Sequence, residues 1–313
     1  MKLDKEKFRG CLLGLAVGDA LGTTVEFSTR GTFEPMTDIV GGGPFSLEAG
    51  QWTDDTSMAL CLGQSLVACQ GMNLTDQLDR YINWWINGHN SVTGKCFDIG
   101  NTVRSALESF SVTDNPHSGS TDPMSAGNGS IMRLAPVPMF YAYDQLLAAT
   151  AAAESSLTTH GAKDAVGACY VFSQLIAMAL CGSSKEEILM SDAIVPLSED
   201  AFTLGICAIV SGSYKSKEEI DIRGSGYVVE SLEAALWAFW NSGTFEEGAL
   251  LAVNLGDDAD TTGAVYGQIA GAYYGEKNIP KHWKKKIAWR KKIINLADQL
   301  YLAASTSPAA SSE

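Results

Sequence analysis

Apolar residues recur along most of this chain at the spacing of one helix face, and the alternation typical of strands is scarce. The clearest stripe runs from Phe8 to Leu15, and similar stripes begin at Met58 and Val166. These three stripes predict three core-facing helices. Weaker periodicity predicts further helices at 75–88, 99–110, 143–154, 199–210, 228–241, 245–254, 260–274 and 281–303. The pattern therefore predicts an all-α fold.

Glycine and proline separate the helical stretches, but no segment has the composition of an inter-domain linker. Clusters of these residues fall at 30–35 and 40–44, and a polar stretch runs from 111 to 129. No repeat of fixed period is present. We therefore expect a single compact multi-helix domain over residues 1–305 and a disordered tail over 306–313.

Composition and charge narrow the class of protein. The chain has 313 residues, of which 46% are hydrophobic, and a net charge of −14 at pH 7. A chain of this length and hydrophobicity can bury a sizeable core, as soluble globular proteins do. The acidic balance argues against a nucleic-acid partner, because that affinity comes mainly from lysine and arginine neutralising phosphates. An anionic small substrate would need local help from bound cations or helix N-termini.

The cysteines and the apolar stretches bear on the cellular compartment. Seven cysteines occur without a CxxC pair, several of them inside apolar helical patterns, which predicts reduced, buried thiols. The first apolar stretch is interrupted by Asp19 and is not typical of a signal peptide. The stretch from 167 contains Ser173 and Gln174 and is shorter than the roughly 20 residues of a membrane span. We expect a soluble cytoplasmic protein with no membrane partner and, by default, a monomer.

Two acidic motifs stand directly before predicted core helices: WTDDT at 52–56 and GDDADTT at 256–262. Asp54 and Asp55 lie four and three residues before the next position of an apolar stripe, so a helix that begins near them directs both carboxylates inward. Asp260 and Thr261 likewise lie four and three residues before Ala264 in the helix predicted at 260–274. The spacing therefore predicts that carboxylates from both motifs face the protein interior.

Each motif alone has an ordinary structural explanation, because aspartate and threonine are favoured N-caps and acidic side chains suit the positive end of a helix dipole. Together the motifs would bury several carboxylates, and unpaired buried charge is costly enough to force protonation. One or two divalent cations would resolve this conflict. Oxygen ligands without nearby cysteine or histidine favour Mg²⁺ or Mn²⁺ over Zn²⁺, and ligand type alone leaves Ca²⁺ open.

Two further acidic residues lie near the end of the first predicted helix. Asp19 continues the apolar stripe of that helix, which favours a buried acceptor for loop amide groups. Glu26 is flanked by Val25 and Phe27 and could be exposed on a short extended segment. A carboxylate desolvated by such neighbours is also what a general acid or base requires.

Several other features have both a structural and a functional explanation. The GNG sequence at 127–129 consists of ordinary turn formers, and His160 could cap or pack against the helix that follows it. Trp52 could pack against a ligand or lie in the core. The basic run from 281 favours the solvated face of the last helix over a docking patch.

Five blocks of the sequence resemble the ADP-ribosylglycohydrolase family, in the family's order and over nearly the whole chain. They are GCLLGLAVGDALGTTVEF at 10–27, QWTDDTSMAL at 51–60, GNGSIMRLAPVP at 127–138, THGAKDAVGACYVF at 159–172 and GDDADTTGAVYGQIAGAYYG at 256–275. Within the family the likeness is closest to the bacterial dinitrogenase reductase-activating glycohydrolases. The resemblance implies an all-α fold and a binuclear centre of Mg²⁺ or Mn²⁺.

The resemblance also implies roles for particular residues. Six would bind the two cations: Thr53, Asp54, Asp55, Asp258, Asp260 and Thr261. Asp257 stands where the family often has glycine and is not assigned a metal. Glu26 corresponds to a family glutamate associated with catalysis or with gating of the site. The groove for ADP-ribose would be formed by Gly127, Asn128 and Gly129, whose backbone could approach the ligand, and by His160, beside the diphosphate or the distal ribose.

The activity that the resemblance implies is hydrolysis of the glycosidic bond at the distal ribose of an ADP-ribosylated protein, with an arginine linkage favoured. The cations would bind the ribose hydroxyls and could lower the pKa of a bound water, while carboxylates such as Asp55 stabilise an oxocarbenium-like transition state. Glu26 or Asp55 would direct the water. Two alternatives are open: hydrolysis of serine- or ester-linked ADP-ribose by the same centre, or a non-catalytic relative that binds ADP-ribose or serves structurally.

Overall fold

Fourteen α-helices and a few short 3₁₀ turns form the regular structure of residues 3–196 and 202–306, which the computed structural model describes. The helices are α1 (Lys5–Gly22), α2 (Asp54–Cys69), α3 (Leu74–Asn87), α4 (Asn101–Thr113), α5 (Pro136–Phe140), α6 (Gln145–Leu157), α7 (Lys163–Leu180), α8 (Lys185–Ile188), α9 (Leu204–Val210), α10 (Val228–Trp240), α11 (Phe245–Val253), α12 (Ala259–Tyr274), α13 (Lys281–Lys286) and α14 (Arg290–Thr306). Within these ranges no strand forms, and only isolated backbone bridges join the loops. The predicted all-α fold is confirmed.

The three predicted core helices correspond to α1, α2 and α7, and most of the weaker predictions fall within a few residues of a helix. The prediction of one helix over 281–303 is wrong, because the chain breaks between α13 and α14. At the break the amide of Ala288 donates to the carbonyl of Gly50 at 2.9 Å, and Trp289 adopts a left-handed backbone with φ of 53°. Apolar periodicity continues across such a break and therefore does not reveal it.

Two predicted segments extend beyond the described residues. The predicted helix at 199–210 begins at Leu204 in α9, and its first residues, 199–201, lie outside the described ranges. Of the predicted tail at 306–313, Thr306 is the last residue of α14, and 307–313 lie outside the described ranges.

The helices α1 and α12 run antiparallel and contact each other through a stripe of glycines on each helix. In α1 the glycines recur every fourth residue from 10 to 22, and in α12 they stand at 263, 267 and 271. A Cβ atom added at Gly18 would lie 1.9 Å from the carbonyl oxygen of Gly263, and one at Gly267 would lie 2.0 Å from that of Gly14. The two backbones therefore meet directly, which only residues without a side chain permit.

This antiparallel contact determines where the acidic motifs lie. It places the C-terminal end of α1 beside the N-terminal end of α12, since a Cβ at Gly22 would meet the carbonyl oxygen of Ala259 at 2.3 Å. The helix α2 begins at the same place, because the carboxylate of Asp19 in α1 accepts hydrogen bonds from the amides of Thr53, at 2.8 Å, and Thr56, at 3.1 Å. Both acidic motifs thus converge at one end of the α1–α12 pair.

The cysteines are all free thiols, as predicted. The prediction that they are buried holds for Cys11, Cys61 and Cys169 but is wrong for Cys69 and Cys207, which are exposed. Cys69 is the last residue of α2, where that helix leaves the core. Among the described helices, none combines the length and the hydrophobicity needed to cross a membrane.

We expect Gly18→Ala to lower the free energy of unfolding, although helix propensity alone favours alanine by about 1 kcal/mol. The new Cβ would lie within contact distance of the backbone of α12, and overpacking of a core costs about 1–3 kcal/mol. Urea denaturation followed by circular dichroism measures the difference. Gly167→Ala is the matched control, because Gly167 also lies inside a helix, α7, and a Cβ there meets only side-chain atoms, the nearest of them Cγ1 of Ile206 at 3.3 Å. Equal or greater stability of Gly18→Ala would contradict the direct backbone contact.

Candidate active site

A cavity of about 500 Å³ lies where α1, α2 and α12 converge. Its wall comes from six parts of the chain: the turn after α1, the start of α2, the segment that leads into α4, the GNG turn and the residues after it, the loop before α7 and the start of α12. Nine of the eleven residues predicted for the site line it, namely Glu26, Asp54, Gly127, Asn128, Gly129, His160, Asp258, Asp260 and Thr261. The other two, Thr53 and Asp55, are buried behind the wall and contact residues that line it.

Backbone hydrogen bonds hold the turn after α1 against the turn before α12. The amide of Phe27 donates to the carbonyl of Asp257 at 2.7 Å, and the amide of Asp257 donates to the carbonyl of Ser28 at 2.8 Å. Phe27 and Asp257 both have a left-handed backbone, with φ of 62° and 55°. The φ of Asp257 explains why glycine suits this position, and its side chain is not part of the cavity wall. The pairing fixes Glu26 beside the second acidic motif.

Neither acidic motif caps its own helix. The N-cap residues of α2 and α12, Thr53 and Asp258, make no side-chain capping bond, and the first amides of α2 are satisfied by Asp19 instead. The carboxylate of Asp258 accepts a hydrogen bond from the side-chain amide of Asn128 at 2.8 Å. The capping explanation for the two motifs is therefore wrong, and their carboxylates are available for another purpose.

Asp19 is the buried acceptor that its position in the apolar stripe predicts, although its partners lie in the first turn of α2. One carboxylate oxygen accepts from the amide and hydroxyl of Thr53, at 2.8 and 3.1 Å, and the other from the amide and hydroxyl of Thr56, at 3.1 and 2.6 Å. Burial raises the pKa of Asp19 to about 6 in spite of these hydrogen bonds, which lower it.

The hydroxyl of Thr53 lies among carboxylates from three helices. Its Oγ1 is 3.1 Å from an oxygen of each of three side chains, those of Asp19, Asp55 and Asp260. A threonine hydroxyl has one hydrogen to donate, so it can satisfy only one of these oxygens. The remaining close oxygen contacts require protonation or a cation.

Asp98 belongs to the same cluster, and the sequence prediction missed it. Single carboxylate oxygens of Glu26, Asp98 and Asp260 lie within 4.8 Å of one another. Asp98 follows α3 in an irregular segment and has a left-handed backbone with φ of 60°. The only signal in the sequence is its place directly before the helix predicted at 99–110, and that position is common for aspartate.

Burial raises the pKa of every carboxyl group in the cluster, and neighbouring carboxylates add to the effect. Burial raises the pKa values of Asp54, Asp55 and Asp260 well above the usual range. The neighbouring charge that raises the pKa most after burial is that of Asp98 for Asp54, that of Asp19 for Asp55 and that of Glu26 for Asp260. Burial, followed by Asp98 and Asp258, raises the pKa of Glu26 to about 9. Burial and then Asp258 raise the pKa of Asp98 to about 7.

In the part of the chain that the structure describes, the cluster has no ion-pair partner. Within residues 3–196 and 202–306, no lysine, arginine or histidine forms an ion pair with any of its seven members, Asp19, Glu26, Asp54, Asp55, Asp98, Asp258 and Asp260. Two of its oxygens, Oε2 of Glu26 and Oδ1 of Asp55, are buried without a hydrogen-bond partner. Buried polar atoms are normally satisfied, so these atoms and the all-oxygen donor set fit divalent cations.

The GNG turn and His160 form another part of the wall. A Cβ atom at Gly129 would lie 2.8 Å from Cε1 of His160, so glycine there leaves room for the imidazole ring. The side-chain amide of Asn128 donates to Asp258, and its backbone amide donates to the carbonyl of Gly226 at 3.0 Å. Burial and then the charge of Arg133 lower the pKa of His160 to about 3, which keeps the ring neutral.

Trp52 lies in the core, and its alternative role as a ring for a ligand is wrong. The side chain is fully buried and its Nε1 donates to the carbonyl of Ala288 at 3.2 Å. Its ring meets the edge of Trp289, at a centroid distance of 5.4 Å. Trp52 therefore supports the break between α13 and α14.

We expect Asp19→Asn to lower the free energy of unfolding by about 1–3 kcal/mol, because an amide nitrogen would face a backbone N–H that now donates to a carboxylate oxygen. Urea denaturation of the two proteins measures this. Asp114→Asn serves as the control, since Asp114 is exposed and its φ of 53° suits asparagine. If Asp19→Asn were as stable as the control, Asp19 would not be what fixes the start of α2.

Comparison with known proteins yields a match to one family along the chain. The family model described as ADP-ribosylglycohydrolase matches residues 1–310. The chain is 45% identical over 296 residues to a protein of Pseudomonas putida named ADP-ribosylarginine hydrolase Tri1, covering 95% of this chain and 78% of that protein. It is 32% identical over 292 residues to the ADP-ribosyl-[dinitrogen reductase] glycohydrolase of Rhodospirillum rubrum, covering 89% of each.

A solved structure titled ADP-ribosylglycohydrolase-related protein complex has the same fold, with a TM-score of 0.84 and 41% identity, covering 96% of this chain and 98% of that one. The likeness to the dinitrogenase reductase glycohydrolase is confirmed, and the hydrolase of Pseudomonas putida is the more similar of the two relatives. Fold, family model and relatives agree. The chain belongs to the ADP-ribosylglycohydrolase family and is a glycohydrolase.

Proposed function

We propose that this protein is a metal-dependent hydrolase that removes ADP-ribose from arginine side chains of modified proteins. The observation that carries the proposal is the cluster of seven carboxylates, without a basic partner in the described ranges, around the cavity of a glycohydrolase fold. The likeness to a protein named ADP-ribosylarginine hydrolase supports arginine as the linkage. The bond cleaved is the glycosidic bond at the anomeric carbon of the distal ribose.

Two divalent cations, Mg²⁺ or Mn²⁺, would be held by the oxygens of Thr53, Asp54, Asp55, Asp258, Asp260 and Thr261. The convergence of Asp55 and Asp260 on the hydroxyl of Thr53, at 3.1 Å each, supports this set. The proximity of Asp98 to Glu26 and Asp260 makes Asp98 a further candidate ligand. When bound, the cations supply Lewis acidity at the ribose hydroxyls and compensate the carboxylate charge.

The positions of Glu26 and Asp55 favour Glu26 as the residue that directs the water. Each residue has one oxygen without a protein partner, but Glu26 lines the cavity, whereas Asp55 lies behind the wall with Oδ2 bonded to Thr53. Bound cations would lower the pKa of Glu26 again, and the carboxylate then orients a water molecule and takes a proton from it as the water oxygen bonds to the anomeric carbon. The carbon–nitrogen bond to arginine breaks, and the proton that Glu26 took from the water is passed on to the departing guanidine nitrogen. Asp55 stabilises the positive charge that develops on the ribose ring.

The GNG turn and His160 bind the remainder of ADP-ribose. Gly127 and Gly129 offer their backbone to the ligand, because no side chain separates it from the cavity. Asn128 shapes this part of the wall, because its backbone N–H and C=O are bonded within the protein and its side-chain NH₂ is engaged with Asp258. That bond also holds Asp258 in position, so the turn joins the two halves of the site.

We expect Asp55→Asn and Asp260→Asn each to abolish hydrolysis, because each removes a carboxylate on which the cations depend. Calorimetric titration with Mn²⁺ should show the loss of binding that accompanies the loss of turnover. Asp257→Asn is the matched control, because it neutralises an aspartate of the same motif whose side chain is not in the cavity wall. The φ of 55° at this position suits asparagine. Full turnover by Asp55→Asn or Asp260→Asn in metal-depleted buffer would overturn the two-cation site.

The linkage is tested by measuring the release of ADP-ribose from arginine-linked, serine-linked and ester-linked substrates, each with and without a chelator. We expect the arginine-linked substrate to be cleaved fastest and the chelator to stop the reaction. Faster cleavage of the serine-linked or ester-linked substrate would replace arginine as the proposed linkage. Undiminished cleavage in the presence of the chelator would contradict the metal dependence alone.

A further inference from the structure

We propose that Arg133 and Thr159 fix the tautomer of His160, so that its Nε2–H is held as a hydrogen-bond donor for an anionic oxygen in the cavity. The inference rests on the proposed function, in which that oxygen belongs to the diphosphate of ADP-ribose. Arg133 and Thr159 would then be positioning residues that act on the substrate through His160.

A chain of two short contacts leads from the guanidinium to the imidazole. Arg133 is fully buried, and its Nη2 donates to Oγ1 of Thr159 at 2.7 Å. The same Oγ1 lies 2.8 Å from Nδ1 of His160. A guanidinium has only donors, so the oxygen of Thr159 is the acceptor in the first contact. Its own hydrogen is left for Nδ1 of His160, which must then be the acceptor in the second contact.

The other tautomer of His160 would leave a polar hydrogen unsatisfied. If Nδ1 carried the proton, Arg133 and His160 would both donate to the hydroxyl oxygen of Thr159. The hydrogen of that hydroxyl would then have no acceptor among the described residues. Such unsatisfied buried donors are costly. Since burial and Arg133 lower the pKa of His160 to about 3, the ring holds a single proton at neutral pH, and that proton lies on Nε2.

The Nε2 edge of the ring is the edge that faces the GNG turn and the cavity. A Cβ atom at Gly127 would lie 3.4 Å from Nε2, and one at Gly129 would lie 3.1 Å from it. His160 is part of the cavity wall, and within residues 3–196 and 202–306 no protein atom accepts a hydrogen bond from its Nε2. The donor is therefore free to bind a ligand.

The charge behind His160 favours an anion as that ligand. The guanidinium of Arg133 has no carboxylate partner among the described residues; it lies 4.5 Å from the ring centroid of Tyr81, and its Nη1 is 3.8 Å from the sulfur of Met58. Buried charge is weakly screened, so the positive potential extends to the adjacent cavity wall. The carboxylate cluster forms another part of the wall of the same cavity. A molecule in which an anionic diphosphate adjoins a cation-binding ribose matches these two parts of the wall.

The test compares Thr159→Val, which removes the hydroxyl at nearly constant size, with Thr159→Ser, which keeps it. Binding of ADP-ribose to each protein is measured by calorimetry in the presence of Mg²⁺. We expect Thr159→Val to weaken binding about tenfold, as the loss of one hydrogen bond to a charged group does, and Thr159→Ser to bind like the unaltered protein. Thr150→Val, on the exposed face of α6, controls for the substitution itself.

Two further measurements separate positioning from a merely structural role. Nitrogen-15 NMR of the histidine ring should show the Nε2-protonated tautomer of His160 in the unaltered protein and a mixture in Thr159→Val. In turnover, Thr159→Val should raise KM while kcat changes little. An Nδ1-protonated ring in the unaltered protein, or equal ADP-ribose binding by the valine and serine variants, would overturn the inference. Because these readouts need no particular linkage, failure to cleave arginine-linked substrate would contradict the proposed function alone.

Discussion

The direct backbone contact between α1 and α12 is the constraint on which the site depends. Glycines at every fourth position remove the side chains that would otherwise separate the two helices, so carbonyl oxygens of one meet Cα atoms of the other. Rigid contact along several helical turns fixes the end of α1 against the start of α12, and Asp19 then fixes the start of α2 to both. Side chains from three helices are thereby brought within hydrogen-bond distance of one hydroxyl, that of Thr53.

This arrangement concentrates like charge where the fold is most tightly packed. Burial raises the pKa of each carboxyl group, and each neighbour raises it further, so the cluster destabilises the protein unless protons or cations compensate it. Behind His160 the reverse problem arises, because the buried Arg133 has no carboxylate partner in the described ranges. A cavity with a carboxylate cluster in one part of its wall and an uncompensated guanidinium behind another part is better explained by a ligand than by stability.

Much of the fold and of the site follows from the sequence. The stripes of α1, α2 and α7 and the inward direction of Asp54, Asp55 and Asp260 come from helical spacing, which depends only on neighbours along the chain. The family resemblance adds Asp258, His160 and the GNG turn. Spacing alone missed Asp98, because it stands in an irregular segment whose φ of 60° carries no periodic signal. The break at Trp289 was missed because it depends on an amide that pairs with distant Gly50.

The sequence by itself determined the core helices α1, α2 and α7, their buried faces and the residue types of an all-oxygen cation site, because these properties arise from contacts between near neighbours in the chain. Only the tertiary structure decided that the two motifs do not cap their helices, that Glu26 rather than Asp55 lines the cavity, and that Arg133 reaches His160 through Thr159. Those outcomes depend on which of several possible partners each polar atom meets. That choice is made by the packing of segments far apart in the chain, above all by how closely α1 approaches α12.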